Sequence, residues 1–249
     1  MSANYVARET GFAMHGWGHG DRMTNDAFSA GFETKFDELL RDVRMLGFDT
    51  IDVWGAHLNV DWATDEHVAT ARRLLDDHGM TIGSYQVWVG PRNLERACDI
   101  AAVLGSRSLS GNVPVEDPRL ESLLAERGLQ FAFENHPEKT PAEVLAKLPA
   151  FAGVCVDTGW LGTQGYPAPQ ALEELGDRVF HVHLKDVLAV GEPHETCRWG
   201  EGVVDIEGCV DALQRIGYDG TVVVEHEPET FDPSDDVRAM REQLEEWLG

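Results

Sequence analysis

Short runs of β character and amphipathic helical stretches change places along the whole chain. That alternation restricts the fold more than any other feature. FAMHGW (12–17) precedes ETKFDELLRDVRMLG (33–47), in which Phe36, Leu39, Leu40, Val43 and Leu46 recur at helical spacing. FDTIDVW (48–54) leads to DEHVATARRLLDDHG (65–79), TIGSYQVWV (81–89) to NLERACDIAAVLG (93–105), and RSLSG (107–111) to PRLESLLAERG (118–128). The second half repeats the pattern. LQFAFE (129–134) goes with PAEVLAKL (141–148), FAGVCVD (151–157) with APQALEELG (168–176), RVFHVHLK (178–185) with IEGCVDALQRIG (206–217), and TVVVEHE (221–227) with PSDDVRAMREQLEEWLG (233–249). Gly47, Gly79, Gly105, Gly128, Gly176 and Gly217 close helices, as left-handed caps do where a helix turns back to the next strand. Strand–helix units in unbroken series build a parallel sheet, and eight of them close a barrel. An open doubly wound sheet would carry GxGxxG after its first strand. Here that place holds HGWGHG (15–20), with no helix directly behind it. The expected fold class is α/β, a (β/α)8 TIM barrel, with residues 1–249 as one domain.

Active groups of such a barrel lie at the C-terminal ends of its strands. The fifth strand ends in Glu134-Asn135-His136 and the sixth in Asp157-Thr158-Gly159-Trp160. The seventh carries His181, His183 and Lys185, with Asp186 next, and the eighth ends in Glu225-His226-Glu227. Side chains alternate along a strand. Glu134 therefore shares a face with Ala132 and His136, and His181, His183 and Lys185 share the face opposite Val182 and Leu184. Glu225 goes with Val223 and Glu227, which leaves His226 on the other side. Glu134, Asp157, His183 and Glu225 make three carboxylates and one imidazole, a set that repels itself unless a cation is present. Such an oxygen-rich set favours a hard or borderline divalent ion: Mn²⁺ first, with Mg²⁺, Co²⁺ or Zn²⁺ as alternatives. Taken singly, each of these residues would pass as a rim group in its own salt bridge. Four on adjacent strand ends favour the metal site.

The charge balance excludes other classes. Acidic residues number 44 against 20 basic ones, a net charge of −24, and only Lys35, Lys139, Lys147 and Lys185 are lysines. Such a surface repels phosphate backbones and anionic lipid, so neither nucleic acid nor membrane is an expected partner. Acid-rich, lysine-poor composition points to a halophilic source. Cys98, Cys155, Cys197 and Cys209 are scattered, as in small buried residues of a reducing cytosol. MSANYVARETGF does not read as a signal peptide, and no apolar run reaches the roughly 18 residues of a membrane span. A soluble, cytoplasmic protein is expected.

FENH, VDTG, HVHLKD, RWGEGVVDI (198–206) and VVVEHE, in this order and at barrel-unit spacing, resemble the xylose isomerase-like barrel superfamily over essentially the whole chain. That superfamily includes sugar phosphate isomerases and epimerases, ketose 3-epimerases, hydroxypyruvate isomerases, inosose dehydratases and, more distantly, endonuclease IV. The resemblance implies Glu134, Asp157, His183 and Glu225 as metal ligands, with Glu134 and Glu225 also as an acid/base pair. His136 and Lys185 would contact substrate, although His136 could equally orient a carboxylate. Trp17, His57 and Arg198 are further substrate-binding candidates, and the GEG segment would form part of the rim. Two departures stand out. Trp160 occupies a place where relatives often carry histidine or asparagine, and GNVPVEDPR (111–119) lacks the histidine of many relatives. The endonuclease's histidine cluster is missing.

The implied activity is a metal-dependent isomerase or epimerase acting on a small sugar or polyol through an enediolate. An inosose dehydratase-like lyase is the alternative, and a barrel that binds without turnover a third. Gly200 and Gly202 could offer backbone N–H groups to a phosphorylated substrate. Relatives are often dimers or tetramers, so a homo-oligomer is implied, though no interface pattern stands out.

Overall fold

The computed structural model describes residues 31–249 apart from 56, 192–193 and 229–230. FAMHGW, and with it Trp17, lies outside the described residues. The chain divides into two units, Met1–Gln130 and Phe131–Gly249.

In the first unit, helix α1 (Phe32–Met45) turns Phe32, Phe36, Leu39, Leu40 and Val43 inward. Burying each such side chain contributes about 1.5–3 kcal/mol. Strand β1 (Thr50–Trp54), helix α2 (Asp65–Asp77), strand β2 (Thr81–Trp88), helix α3 (Leu94–Leu104), strand β3 (Ser108–Asn112) and helix α4 (Leu120–Arg127) follow. Thr64 and His67 cap α2 reciprocally, side chain to backbone in both directions. The strands pair in parallel, with Thr50 opposite Thr81 and Tyr85 opposite Leu109. Gly111, at φ 103°, lies against the Val87 backbone, where a Cβ would collide. The buried Asp52 carboxylate accepts Ser84 N–H at 2.8 Å inside this unit.

Strand β4 (Gln130–Glu134) leads into the second unit. Then come helix α5 (Pro141–Lys147), strand β5 (Gly153–Asp157), helices α6 (Thr158–Thr163) and α7 (Ala168–Leu175), and strand β6 (Val179–Leu184). Strands β7 (Asp186–Val187) and β8 (Thr196–Cys197) form a small antiparallel pair before helix α8 (Ile206–Arg215), strand β9 (Val222–Val224) and helix α9 (Ser234–Leu248). β4, β5, β6 and β9 run parallel in that order. Glu134 stands opposite Cys155, Asp157 opposite His183, and His183 opposite Val223.

All seven strands expected from residue 48 onward are present, and each is followed by its helix. The six glycines expected as caps all have positive φ. Helix α6 and the β7–β8 pair were not expected. TGWLGT has two glycines and no helical period, yet α6 forms because the Asp157 carboxylate caps it, accepting Trp160 N–H at 2.9 Å. The β7–β8 pair has arms of two residues, too short for alternation to register.

Candidate functional site

Parallel register brings the ends of four strands of the second unit to one level. Glu134 and Asp157 close β4 and β5, His183 is the penultimate residue of β6, and Glu225 directly follows β9, its N–H donating to Leu184 O at 3.1 Å. All four side chains are buried. His183 Nδ1 lies 3.6 Å from Glu134 Oε1 and 3.1 Å from Glu225 Oε2. Lys185 Nζ lies 3.2 Å from Glu225 Oε2 and 3.1 Å from Asp157 Oδ2, and His136 Nε2 is 3.2 Å from the same Asp157 oxygen. The four residues expected as ligands thus form one cluster, joined through His183 and Lys185.

Their ionisation follows from this packing. Burial favours neutral Glu134, but His136 and His183 outweigh it and hold the carboxyl below its ordinary range. Burial opposes the charge on Asp157 too, yet Lys185 and His136 hold it well below the usual value. Glu225 is likewise lowered, with Lys185 and His183 overcoming burial. For Lys185 the desolvation cost is outweighed by Asp157, Glu225 and Glu227, which raise it well above an ordinary lysine. His136 is raised because Glu134 and Asp157 prevail over burial. The carboxylates are thereby held ionised, with the Lys185 ammonium beside Asp157 and Glu225.

Asn135, Glu227 and Trp160 also contribute, and of these only Glu227 shares the period of a site strand. Asn135 clamps the next strand, its Oδ1 accepting Asp157 N–H at 2.7 Å and its Nδ2 donating to Asp157 O at 3.2 Å. Glu227 binds Lys185 Nζ at 2.9 Å. Trp160 lays its indole 4.6 Å from the His136 ring and 6.0 Å from His194, and donates Nε1–H to Glu138 O at 2.7 Å. Aromatic surface therefore lies beside the His136 ring.

The remaining candidates make contacts of their own. His57, in the first unit, is fully buried with its ring edge-on to Trp54. Arg198 is exposed, 4.0 Å from Asp236. His226 faces Thr196 Oγ1 at 3.1 Å and Asp236 at 3.5 Å. Gly200 and Gly202 require a correction, because their N–H groups both donate to Asp186 Oδ2 at 3.0 Å. Asp186 Oδ1 takes Val187 and Val204 N–H at 2.9 Å each. An internal carboxylate already fills the cradle a phosphate would need.

The donor set suits a divalent cation. Within the second unit, ligand atoms of Glu134, Cys155 and His183, and again of Glu134, His136 and Asp157, lie within 4.8 Å of one another. Three buried carboxylates and an imidazole offer hard and borderline donors.

Comparison with known proteins agrees. A curated inosose dehydratase from Geobacillus thermodenitrificans (strain NG80-2) is 28% identical over 155 residues, which span 53% of this chain and about half, 52%, of that relative. Among solved structures, a D-allulose 3-epimerase from Methylomonas sp. superposes with a TM-score of 0.69 at 20% identity, covering 87% of this chain and 93% of its own. A xylose isomerase domain protein from Alicyclobacillus acidocaldarius gives 0.65 at 21% identity, over 85% and 92% of the two chains. The sequence profile of the xylose isomerase-like TIM barrel covers residues 40–248, through both units. The chain belongs to the xylose isomerase-like TIM barrel family.

Proposed function

We propose that this protein is a divalent-metal-dependent isomerase or epimerase of a small free sugar, moving a proton beside a carbonyl through an enediolate. One observation carries the reading. Glu134 and Glu225 flank a single imidazole nitrogen, at 3.6 and 3.1 Å, in a buried cluster that also holds Asp157. Glu134, Asp157, His183 and Glu225 would hold the ion, Mn²⁺ ahead of Mg²⁺, Co²⁺ or Zn²⁺. When bound, the ion would supply Lewis-acid polarisation of the substrate's carbonyl. One of Glu134 and Glu225, ionised, would take the proton from the carbon on one face, and the other, carrying a proton, would deliver it on the opposite face, the two exchanging protonation states over a turnover. Asn135 fixes the backbone of Asp157, and His136 orients its carboxylate while presenting its ring to the substrate beside Trp160. Lys185, Trp17, His57 and Arg198 complete the proposed contacts with sugar.

Occupation of Gly200 and Gly202 by Asp186 favours a free sugar over a phosphorylated one. We take residues 1–249 as one barrel, working as a homo-oligomer in a cytoplasm rich in salt. Buried free cysteines support a reducing compartment. Among the described residues no helix is long and apolar enough to cross a membrane.

The second reading, an inosose dehydratase-like lyase, is favoured by the similarity over half the chain to such an enzyme. NMR of ketoses and inososes incubated in D₂O with the Mn²⁺-loaded protein separates the two. Deuterium beside the carbonyl with the skeleton intact is the expected result. A product lacking one water would transfer the assignment to the lyase, and no exchange with any substrate would remove the acid/base roles.

A further inference from the structure

The ammonium of Lys185 is held by three carboxylates: Asp157 at 3.1 Å, Glu225 at 3.2 Å and Glu227 at 2.9 Å. Its side chain is only 3% exposed. The stem reaches this position by crossing Gly159, where a Cβ would lie 2.6 Å from Lys185 Cγ. VDTG thus supplies Asp157 as a partner and Gly159 as the room for the lysine's approach. Two of the three carboxylates are proposed ion ligands, and Glu227 is not. Left without a cation, carboxylates buried this closely repel one another and prefer to protonate or separate. Lys185 brings the compensating charge from within the chain.

We propose that Lys185 is an internal counter-ion and positioning residue. It keeps Asp157 and Glu225 in place in the ion-free protein and cedes their oxygens when a divalent ion enters, with Glu227 retaining its ammonium. The inference rests on the metal-dependent reading above. Ammonium and metal ion carry like charge and draw on the same oxygens, so each disfavours the other. Linkage makes the consequence quantitative: a group that stabilises the ion-free state over the loaded one weakens ion binding by the same factor. Removing the lysine therefore tightens ion binding while destabilising the ion-free protein. A lysine with a merely structural role gives weaker binding when removed, and one that only contacts sugar changes neither quantity.

The test uses the full chain, wild type and Lys185→Met, stripped with EDTA, dialysed, and titrated calorimetrically with MnCl₂ and no sugar. Lys185→Met should bind Mn²⁺ at least tenfold more tightly, and its Tm should fall further without the ion than with it. Lys185→Arg, which keeps the charge, should stay near the wild-type Kd. An unchanged or weaker Kd for Lys185→Met overturns the proposal. Folding of that variant only with Mn²⁺ present would support it. If Lys185→Met folds in neither state, Glu227→Gln decides: an ammonium freed from Glu227 presses harder on Asp157 and Glu225, so Mn²⁺ should bind several-fold more weakly. An unaltered Kd there rejects the idea. Absence of Mn²⁺ binding by the wild type would remove the metal reading together with this inference. That result differs from equal binding by both proteins, which would remove the inference alone.

Discussion

Glu134 and Glu225 are each 2% exposed, and both meet His183. As the proposed acid/base pair, each should be indispensable without being needed for folding. Glu134→Gln and Glu225→Gln are expected to lower kcat by about 10²–10⁴ while leaving the circular dichroism spectrum unchanged. A turnover loss below tenfold in either would show that carbon-bound proton transfer does not use that residue. His57 offers a test of a different kind. Burial pushes its pKa from 6.5 down to about 3, so the folded protein keeps this ring neutral where the unfolded chain protonates it. Because the folded pKa is the lower one, stability falls as pH drops from 6.5 toward 3, by about 1.4 kcal/mol per unit for one proton. Urea unfolding at pH 7, 6 and 5 should show a shallower decline in His57→Leu than in the wild type, and parallel declines would contradict it. The sequence already pointed to the strand-end acids and His183, because alternation fixes which residues share a face. What it could not disclose is who binds whom. The clamp from Asn135 and the three partners of Lys185 depend on side-chain directions that carry no period.

At the scale of elements, Asp186 organises the stretch from β7 to α8. Its two oxygens accept four backbone N–H groups, from Val187, Gly200, Gly202 and Val204. Gly202 can pass this close only because it lacks a Cβ, which would collide with Val187 O, the Asp186 carboxylate and Cys197 Sγ. Gly202→Ala should therefore cost about 1–3 kcal/mol. Asp186→Asn should cost roughly 2–5 kcal/mol, since an amide has one acceptor oxygen and strands donors that the carboxylate satisfied. Urea unfolding measures both, and hydrogen exchange should show lost protection at Gly200, Gly202 and Val204. Retained protection in Asp186→Asn would mean the backbone holds this loop unaided. HVHLKD and GEG stood out in the sequence as motifs, but their union did not. Residues 186 and 202 meet only through a tertiary fold-back. The strands and helices were legible because each carries its own apolar period, as in α1. The capped turn α6 and the β7–β8 pair were not, since one depends on the Asp157 side chain and the other on a non-local pairing.

For the molecule as a whole, the deciding quantity is charge. With 44 acidic and 20 basic side chains, one-to-one pairing still leaves 24 carboxylates without a basic partner in number. Salt acts on this surface in two opposing ways. It screens favourable pairs such as Arg73–Asp77 and Arg96–Asp65, both exposed and 2.9 and 2.7 Å long. Pairs of that kind contribute only about 0–1 kcal/mol each. It also screens repulsion among the surplus acids, which favours the unfolded chain because the charges spread apart there. With the surplus larger than the number of possible pairs, the second effect should win. Tm is therefore expected to rise between 0.1 and 2 M KCl, as the screening length drops from about 10 Å to below 3 Å. Lowering the pH toward the carboxylate range near about 4 neutralises the surplus, so the same salt series should then produce a much smaller rise. Equal rises at both pH values would assign the effect to general exclusion of salt from the protein surface rather than to charge. A Tm that falls with KCl at neutral pH would mean that the ion pairs outweigh the repulsion.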